Sequence, residues 1–268
     1  MAVSAELKGM LSIIVPALNE EKNIKMAVTN CLRALDGLNI KGEVVVINDG
    51  STDNTEQIIR QVMTNDQRIG LIHHDTPHGI GGSFWEGVDM AKGEFAIMLP
   101  GDNENDPWEI LQYYKLMPHV DMVIPFVFNK EARSLFRNAL SFLYRFIINT
   151  SFLVYFNYTN GTIIYRRSIL KELKVRSSSF FFQTDILVRL VKKGYLFAEV
   201  PYRLGLRKTD VSKAVSFPSL MQVIKGYCRL MYDYYWRERR HIETYDTDSV
   251  TYERRNNVEN EQYIHQSE

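Results

Sequence analysis

Five polar residues, Asp102, Asn103, Glu104, Asn105 and Asp106, stand directly behind the apolar run Phe95, Ala96, Ile97, Met98, Leu99 and a Pro100-Gly101 break. Hard divalent cations prefer carboxylate oxygens, and in open α/β sheets ligands bind outside the carboxyl ends of strands. Asp102 and Glu104 are two residues apart, so an extended segment would turn both to one side. That spacing suits a Mg2+ or Mn2+ ion held by Asp102, Glu104 or both, with a diphosphate supplying further oxygens. The same residues also read as a solvated turn before a helix, with Asp106 as N-cap and Pro107 at the first helical position.

The elements that would position this cluster follow from periodicity. Leu11 to Val15 is strand-like and closed by Pro16, and Ile24, Ala27, Val28, Cys31, Leu32 and Leu35 then keep helical spacing up to Gly37. Glu43 to Asn48 is a second buried strand running into Asp49-Gly50-Ser51, with Ile58, Ile59, Val62 and Met63 on the helix behind it. Ile69 to His73 is a third strand, followed by the glycine-rich HGIGGSF and a helix through Phe84, Val88 and Ala91. The run before the acidic cluster is the fourth, and Met122 to Phe128 a fifth. Strands alternating with helices at this spacing predict an α/β fold: a doubly wound, mostly parallel sheet with helices on both faces. Gly79, Gly81 and Gly82 permit close backbone approach at a helix head, where amides can meet an anion. A dinucleotide-binding dehydrogenase is excluded, because its glycine fingerprint belongs after the first strand.

Beyond these strands the character changes. Residues 131–156 are aromatic and aliphatic, with Arg133, Arg137 and Arg145 and no acid after Glu131. They fit either a pair of core helices or an interfacial helix lying against lipid headgroups. Asn160 to Tyr165 and Leu196 to Leu206 read as strands, Phe180 to Lys193 as a helix closed by Gly194, and 218–240 as a long amphipathic helix. The chain divides into a main domain over 1–215, a C-terminal amphipathic helix over 216–241, and a polar tail over 242–268 with too little apolar surface to offset the entropy of ordering.

Composition sets the outer bounds. With 268 residues, 45% hydrophobic and 24% charged, the chain is an ordinary globular protein with a sizeable core. Its 32 basic and 32 acidic residues give a net charge of +0, so no global field favours nucleic acid. Cys31 and Cys228 are the two cysteines, too few for a disulfide scaffold or cysteine metal site. The N-terminus carries no signal-peptide pattern, and no stretch of 18 apolar residues suggests a membrane span. A cytoplasmic protein, peripheral on a membrane face, is the expected setting.

Five segments in order carry a resemblance: SIIVPALNEEKNI (12–24), VVVINDGSTDNT (44–55), GIGGSFWEGVDMAKGEFAIMLPGDNEN (79–105), NGTIIYRRSIL (160–170) and FFFQTDILVRLVKKGYLFAEVPYRLGLRKTDVSK (180–213). Together they resemble the family-2 glycosyltransferases of GT-A fold, and within them the dolichyl and polyprenyl phosphate mannose and glucose synthases. The resemblance implies an inverting transfer from a nucleotide-diphosphate sugar. Pro16, Ala17, Asn19, Glu20, Asp49, Gly81, Asp102 and Asn103 become donor-binding positions, and Asp102 with Glu104 the metal ligands. Relatives commonly show Asp-x-Asp where this chain has Asp102-Asn103-Glu104. A lipid-phosphate acceptor is already anionic and needs cations, and Arg137, Ser141, Arg207 and Lys213 match acceptor-side positions. Arg207 is also counted among the catalytic residues with Asp102 and Asp185. A hydroxyl acceptor would instead need a carboxylate base, a role for which Asp185 is placed. A nucleotide-sugar-binding protein without turnover, and a homodimer, stay open.

Overall fold

A computed structural model describes residues 9–129, 135–159, 161–203, 217–237 and 244–257. Its first half alternates strand and helix: β1 (Leu11–Ala17), α1 (Ile24–Gly37), β2 (Gly42–Asp49), α2 (Thr55–Met63), β3 (Ile69–His74), α3 (Ile80–Met90) and β4 (Phe95–Met98). Then follow α4 (Pro107–Leu111), β5 (Met122–Val127), α5 (Leu135–Phe152), β6 (Ile164–Arg166), α6 (Arg167–Lys171), α7 (Phe182–Lys193), β7 (Phe197–Tyr202) and α8 (Phe217–Tyr232).

Among the described residues the strands form one seven-stranded sheet in the order β3-β2-β1-β4-β6-β5-β7. Pairing is parallel except at β6, which runs antiparallel to both β4 and β5. The chain proceeds from β1 outward to β3, then returns through α3 to place β4 on β1's other side. The β1/β4 boundary is thus a topological switch point, where a crevice opens at the carboxyl ends.

Both sheet faces are covered, which is why the central strands read as continuous apolar runs. Ile13, Val15, Val44, Val46 and Ile97 join one core with Val28, Leu32 and Leu35 of α1 and Ile59 of α2. Their neighbours Ile14, Val45, Ile47, Ala96 and Met98 face the other core, with Phe84 and Val88 of α3, Ile148 and Phe152 of α5 and Leu187 of α7. α7 ends as expected at Gly194, whose φ of 97° suits glycine in a helix-closing position.

The tail departs from expectation. Residues 250–257 are helical, and Asp121, fully buried before β5, caps them: its carboxylate accepts from Val250 N at 2.7 Å and Thr251 N at 3.1 Å. Thr251 Oγ1 in turn accepts from Leu196 N at 2.9 Å, and Tyr245 packs edge-on against Tyr195. Tail order over 244–257 thus comes from polar capping and aromatic contact, which an apolar-period criterion does not register. The long C-terminal helix also changes pitch, its last turn over Asp233–Arg237 being π-helical. The predicted strand at 160–165 begins later, at Ile164, and the one at 196–206 ends at Tyr202; Asn160 and 204–216 lie outside the described residues.

Candidate active site

At the switch point β4 continues beyond its regular part alongside β1: Leu99 N donates to Ile14 O at 2.9 Å and Gly101 N to Pro16 O at 3.0 Å. Asp102 therefore emerges just past Pro16 and Ala17, which bury the end of β1. The acidic segment is not extended there. Asn103 takes a left-handed φ of 57°, Glu104 N donates to Asp102 Oδ1 at 3.1 Å, and Asn30 on α1 anchors Asn103 through Nδ2 to Oδ1 at 3.0 Å. The same-side argument drawn from an extended strand does not hold, because the segment turns at Asn103. Asp102, Asn103 and Glu104 are all half-buried. Asp106 serves the helix, accepting from Trp108 N at 2.9 Å with Pro107 at the first position, as the capping reading has it. Two partly exposed acidic residues on a turn at a strand's end are of the type a hard cation takes, so Asp102 and Glu104 are the residues that would hold one.

The loops after β1 and β2 are laced together. Asn19, at φ 56°, donates its backbone N–H to Ser51 Oγ at 2.9 Å and accepts from Thr52 N through Oδ1 at 2.8 Å. Glu20 N donates to Thr55 Oγ1 at 2.8 Å, and Glu21 Oε2 accepts from Asn54 Nδ2 at 3.0 Å. Asn19 and Glu20 thus hold the loops after β1 and β2 in register. Ser51, Thr52 and Thr55 are the partners that the sequence reading did not single out; each sits in the polar cluster behind a strand, which was the signal available.

Asp49 and Gly81 are both engaged by the loop residues around them. Both Asp49 oxygens are engaged: His78 N donates to Oδ1 at 2.7 Å, Gly79 N to Oδ2 at 3.0 Å, and His74 Nδ1 lies 2.9 Å from Oδ1. In this structure Asp49 fixes the β3–α3 loop. His74 is buried. Burial works against its charge, but Asp49 and Glu86 outweigh burial and hold its pKa above the ordinary value. Gly81 N donates to Ser178 O at 3.2 Å, and a Cβ there would stand 2.5 Å from Ser177 O. Its glycine is required by close backbone approach, and its amide is turned to the protein, not to an anion.

Asp185 lies in the first turn of α7, only 5% exposed. Arg189 Nε donates to both of its oxygens at 3.1 Å, while Arg189 Nη2 reaches Asp233 at 2.6 Å, so the trio fastens α7 to the end of the α8 helix. Burial raises the Asp185 pKa against the lowering influence of Arg189. A side chain clasped in this way joins two helices. On the acceptor side, Ser141 is half-buried on α5. Arg137 belongs to the same helix but its side chain, like Arg207 and Lys213 altogether, lies outside the described residues.

A family model, "Glycosyl transferase family 2", matches residues 12–174 of the 268. The chain belongs to glycosyl transferase family 2. The matched span of this family 2 chain covers β1 to α6, including the laced loops and the Asp102 turn. Among curated relatives it is 27% identical over 143 residues to a putative glycosyltransferase of Bacillus subtilis, covering 53% of this chain and 43% of the relative. It is 29% identical to an undecaprenyl-phosphate 4-deoxy-4-formamido-L-arabinose transferase of Aeromonas hydrophila, covering 38% and 31%. It is 30% identical to a dolichyl-phosphate beta-glucosyltransferase of Trichomonas vaginalis, covering 38% and 34%. The matches thus span less than half the length of these relatives. Among solved structures, the glucosyl-3-phosphoglycerate synthase of Mycobacterium tuberculosis with uridine diphosphate superposes at a TM-score of 0.64 and 17% identity, covering 84% of this chain and 80% of that one. The same enzyme with Mn2+, uridine diphosphate and glucosyl-3-phosphoglycerate gives 0.62 at 18%, with the same coverage. These neighbours establish the GT-A architecture.

Proposed function

We propose that this chain is an inverting glycosyltransferase that moves a sugar from a nucleotide-diphosphate donor to a polyprenyl phosphate at a membrane surface. The observation that carries the acceptor is the outer face of α5. Phe142, Leu143 and Phe146 are 60%, 53% and 54% exposed, although Ile148 and Phe152 on the same helix are buried. Such a face, with Arg145 beside Phe142, is that of a helix lying in an interface. α8 packs on it, Tyr227 Oη lying 2.8 Å from Ser151 Oγ, and exposes Leu220, Met221 and Ile224 together with Lys225 and Arg229. Among the described residues no helix is long and apolar enough to cross a membrane, so the helices would lie on it. Two relatives whose names specify a polyprenyl or dolichyl phosphate support the same acceptor.

The donor side rests on the laced loops and the Asp102 turn at the switch point. Mg2+ or Mn2+, present in related structures with uridine diphosphate, would be held by Asp102 and Glu104 and would neutralise the departing diphosphate. The phosphate acceptor is itself an anionic nucleophile and requires no base, which agrees with Asp185 being clasped by Arg189. Arg137, Ser141, Arg207 and Lys213 are the proposed phosphate partners, arginine through its fork of donors.

Purified chain incubated with a panel of nucleotide sugars, Mn2+ or Mg2+, and either short polyprenyl phosphates or soluble hydroxyl acceptors tests the reading. Product formed only with the phosphates supports it. Product with the hydroxyl acceptors alone, or donor binding without product, overturns it.

A further inference from the structure

Two histidines and a glutamate converge beside β3, apart from the Asp102 turn. His74 ends the strand and is buried, His78 is exposed in the following loop, and Glu86 is half-buried on α3; their ligand atoms all lie within 4.8 Å of one another. Glu86 bridges the pair, one oxygen contacting His74 Nε2 and the other lying 3.0 Å from His78 Nδ1. The imidazoles stack with centroids 4.0 Å apart and planes at 23°, which sets both rings. Behind them Asp49 Oδ1 lies 2.9 Å from His74 Nδ1. A hydrogen on Nδ1 donated to that carboxylate leaves the Nε2 lone pair directed at the Glu86 side.

This is the arrangement in which a carboxylate orients a metal-binding imidazole from behind. Two imidazole nitrogens and one carboxylate oxygen make a donor set suited to zinc-class ions, with a fourth position left for water. We propose that His74, His78 and Glu86 form a second cation site, selective for a divalent transition ion such as Zn2+ and distinct from the all-oxygen Asp102 turn. The ion takes the place of the hydrogen that otherwise joins His74 to Glu86. Tetrahedral ligands at ordinary zinc distances stand about 3.3 Å apart, so the site closes on the ion by rotation of the exposed His78. Because His78 N and Gly79 N both donate to Asp49, closure ties β2, the loop after β3 and α3 into one unit. The inference does not depend on which acceptor the chain uses.

The test uses the full chain, stripped with a chelator and titrated with Co2+ alone, whose visible absorption reports nitrogen ligation in a tetrahedral field, and then with Zn2+. One tetrahedral Co2+ per chain is expected, its bands bleached by Zn2+. His78→Ala and Glu86→Gln should each weaken binding about tenfold or more, while Asp102→Asn retains it. His78 is exposed, so its truncation spares the fold, and a thermal melt of each variant checks this. No stoichiometric tetrahedral spectrum, or equal affinity in His78→Ala and Glu86→Gln, overturns the assignment.

Discussion

Asp102 and Asp185 both entered as catalytic candidates, and their surroundings separate them. Asp102 is half-exposed at the switch point, where its carboxylate can meet a cation. Asp102→Ala should lower metal-dependent transfer about 100-fold or more, the scale of a lost metal contribution of a few kcal/mol. The melting temperature should stay within about 2 °C, since no core side chain is removed; turnover at saturating Mn2+ compared with wild type is the measurement. Asp185 is different because burial disfavours its ionised form and raises its pKa from 3.8. A raised carboxylate pKa favours the folded state only while the group is protonated, so that stability is lost as pH rises through the folded pKa. Asp185→Asn has no such loss. Its stability relative to wild type should therefore climb between about pH 4 and the folded pKa and then level off, as paired denaturant titrations across that range would show. Transfer to a lipid phosphate should fall by less than about tenfold in the same variant; a loss of about 100-fold or more would restore Asp185 as a base.

These two residues also show what the sequence could carry. Asp106 and Pro107 were readable as a helix start because capping is local, decided within three residues. The partners of Asp49 were not, since His74, His78 and Gly79 meet it only once β3 and the loop after it are folded beside β2. A spacing of 25 residues between Asp49 and His74 has no periodic signature. The surroundings of Asp185 were only half readable: Arg189 one turn on was visible, but Asp233 comes from a different helix.

At the scale of elements, the parallel half of the sheet was legible because central strands buried on both faces give unbroken apolar runs. The strand at β6 was readable in the run up to Tyr165, but its antiparallel direction was not, since three residues carry no signal of orientation. The C-terminal helix is held by Asp121, whose carboxylate receives two backbone amides from 250–257 and lies 3.5 Å from Arg166 Nε. Asp121→Ala should lower stability by about 1.5–3 kcal/mol, the range for hydrogen bonds to a charged group. Amide exchange should identify the cause: Val250 and Thr251 lose protection while the β1 and β2 amides keep theirs up to the global limit.

For the molecule as a whole, an unpaired apolar face on α5 and another on α8 make a surface that would seat on lipid. Phe142 and Phe146 are both more than half exposed, so replacing both by Ser should leave the fold unchanged. Full-length protein floated with anionic vesicles should lose about 100-fold or more in partitioning, because each ring contributes about 1.5–3 kcal/mol when withdrawn from water. Unaltered flotation would place the membrane contact elsewhere. A neutral net charge made this surface invisible to composition, and helical periodicity alone left it divided between core and interface.

The capping of 250–257 by Asp121 bears on how the chain should be handled in practice. Its polar, tyrosine-dotted C-terminus invites trimming, and a cut near 242 would look harmless. Such a cut would leave a buried carboxylate at the foot of β5 without the amides it now accepts from, unsettling the sheet edge formed by β5 and β7. A boundary after 257 keeps that contact, and an affinity handle attached there stays clear of the switch point at the opposite ends of the strands.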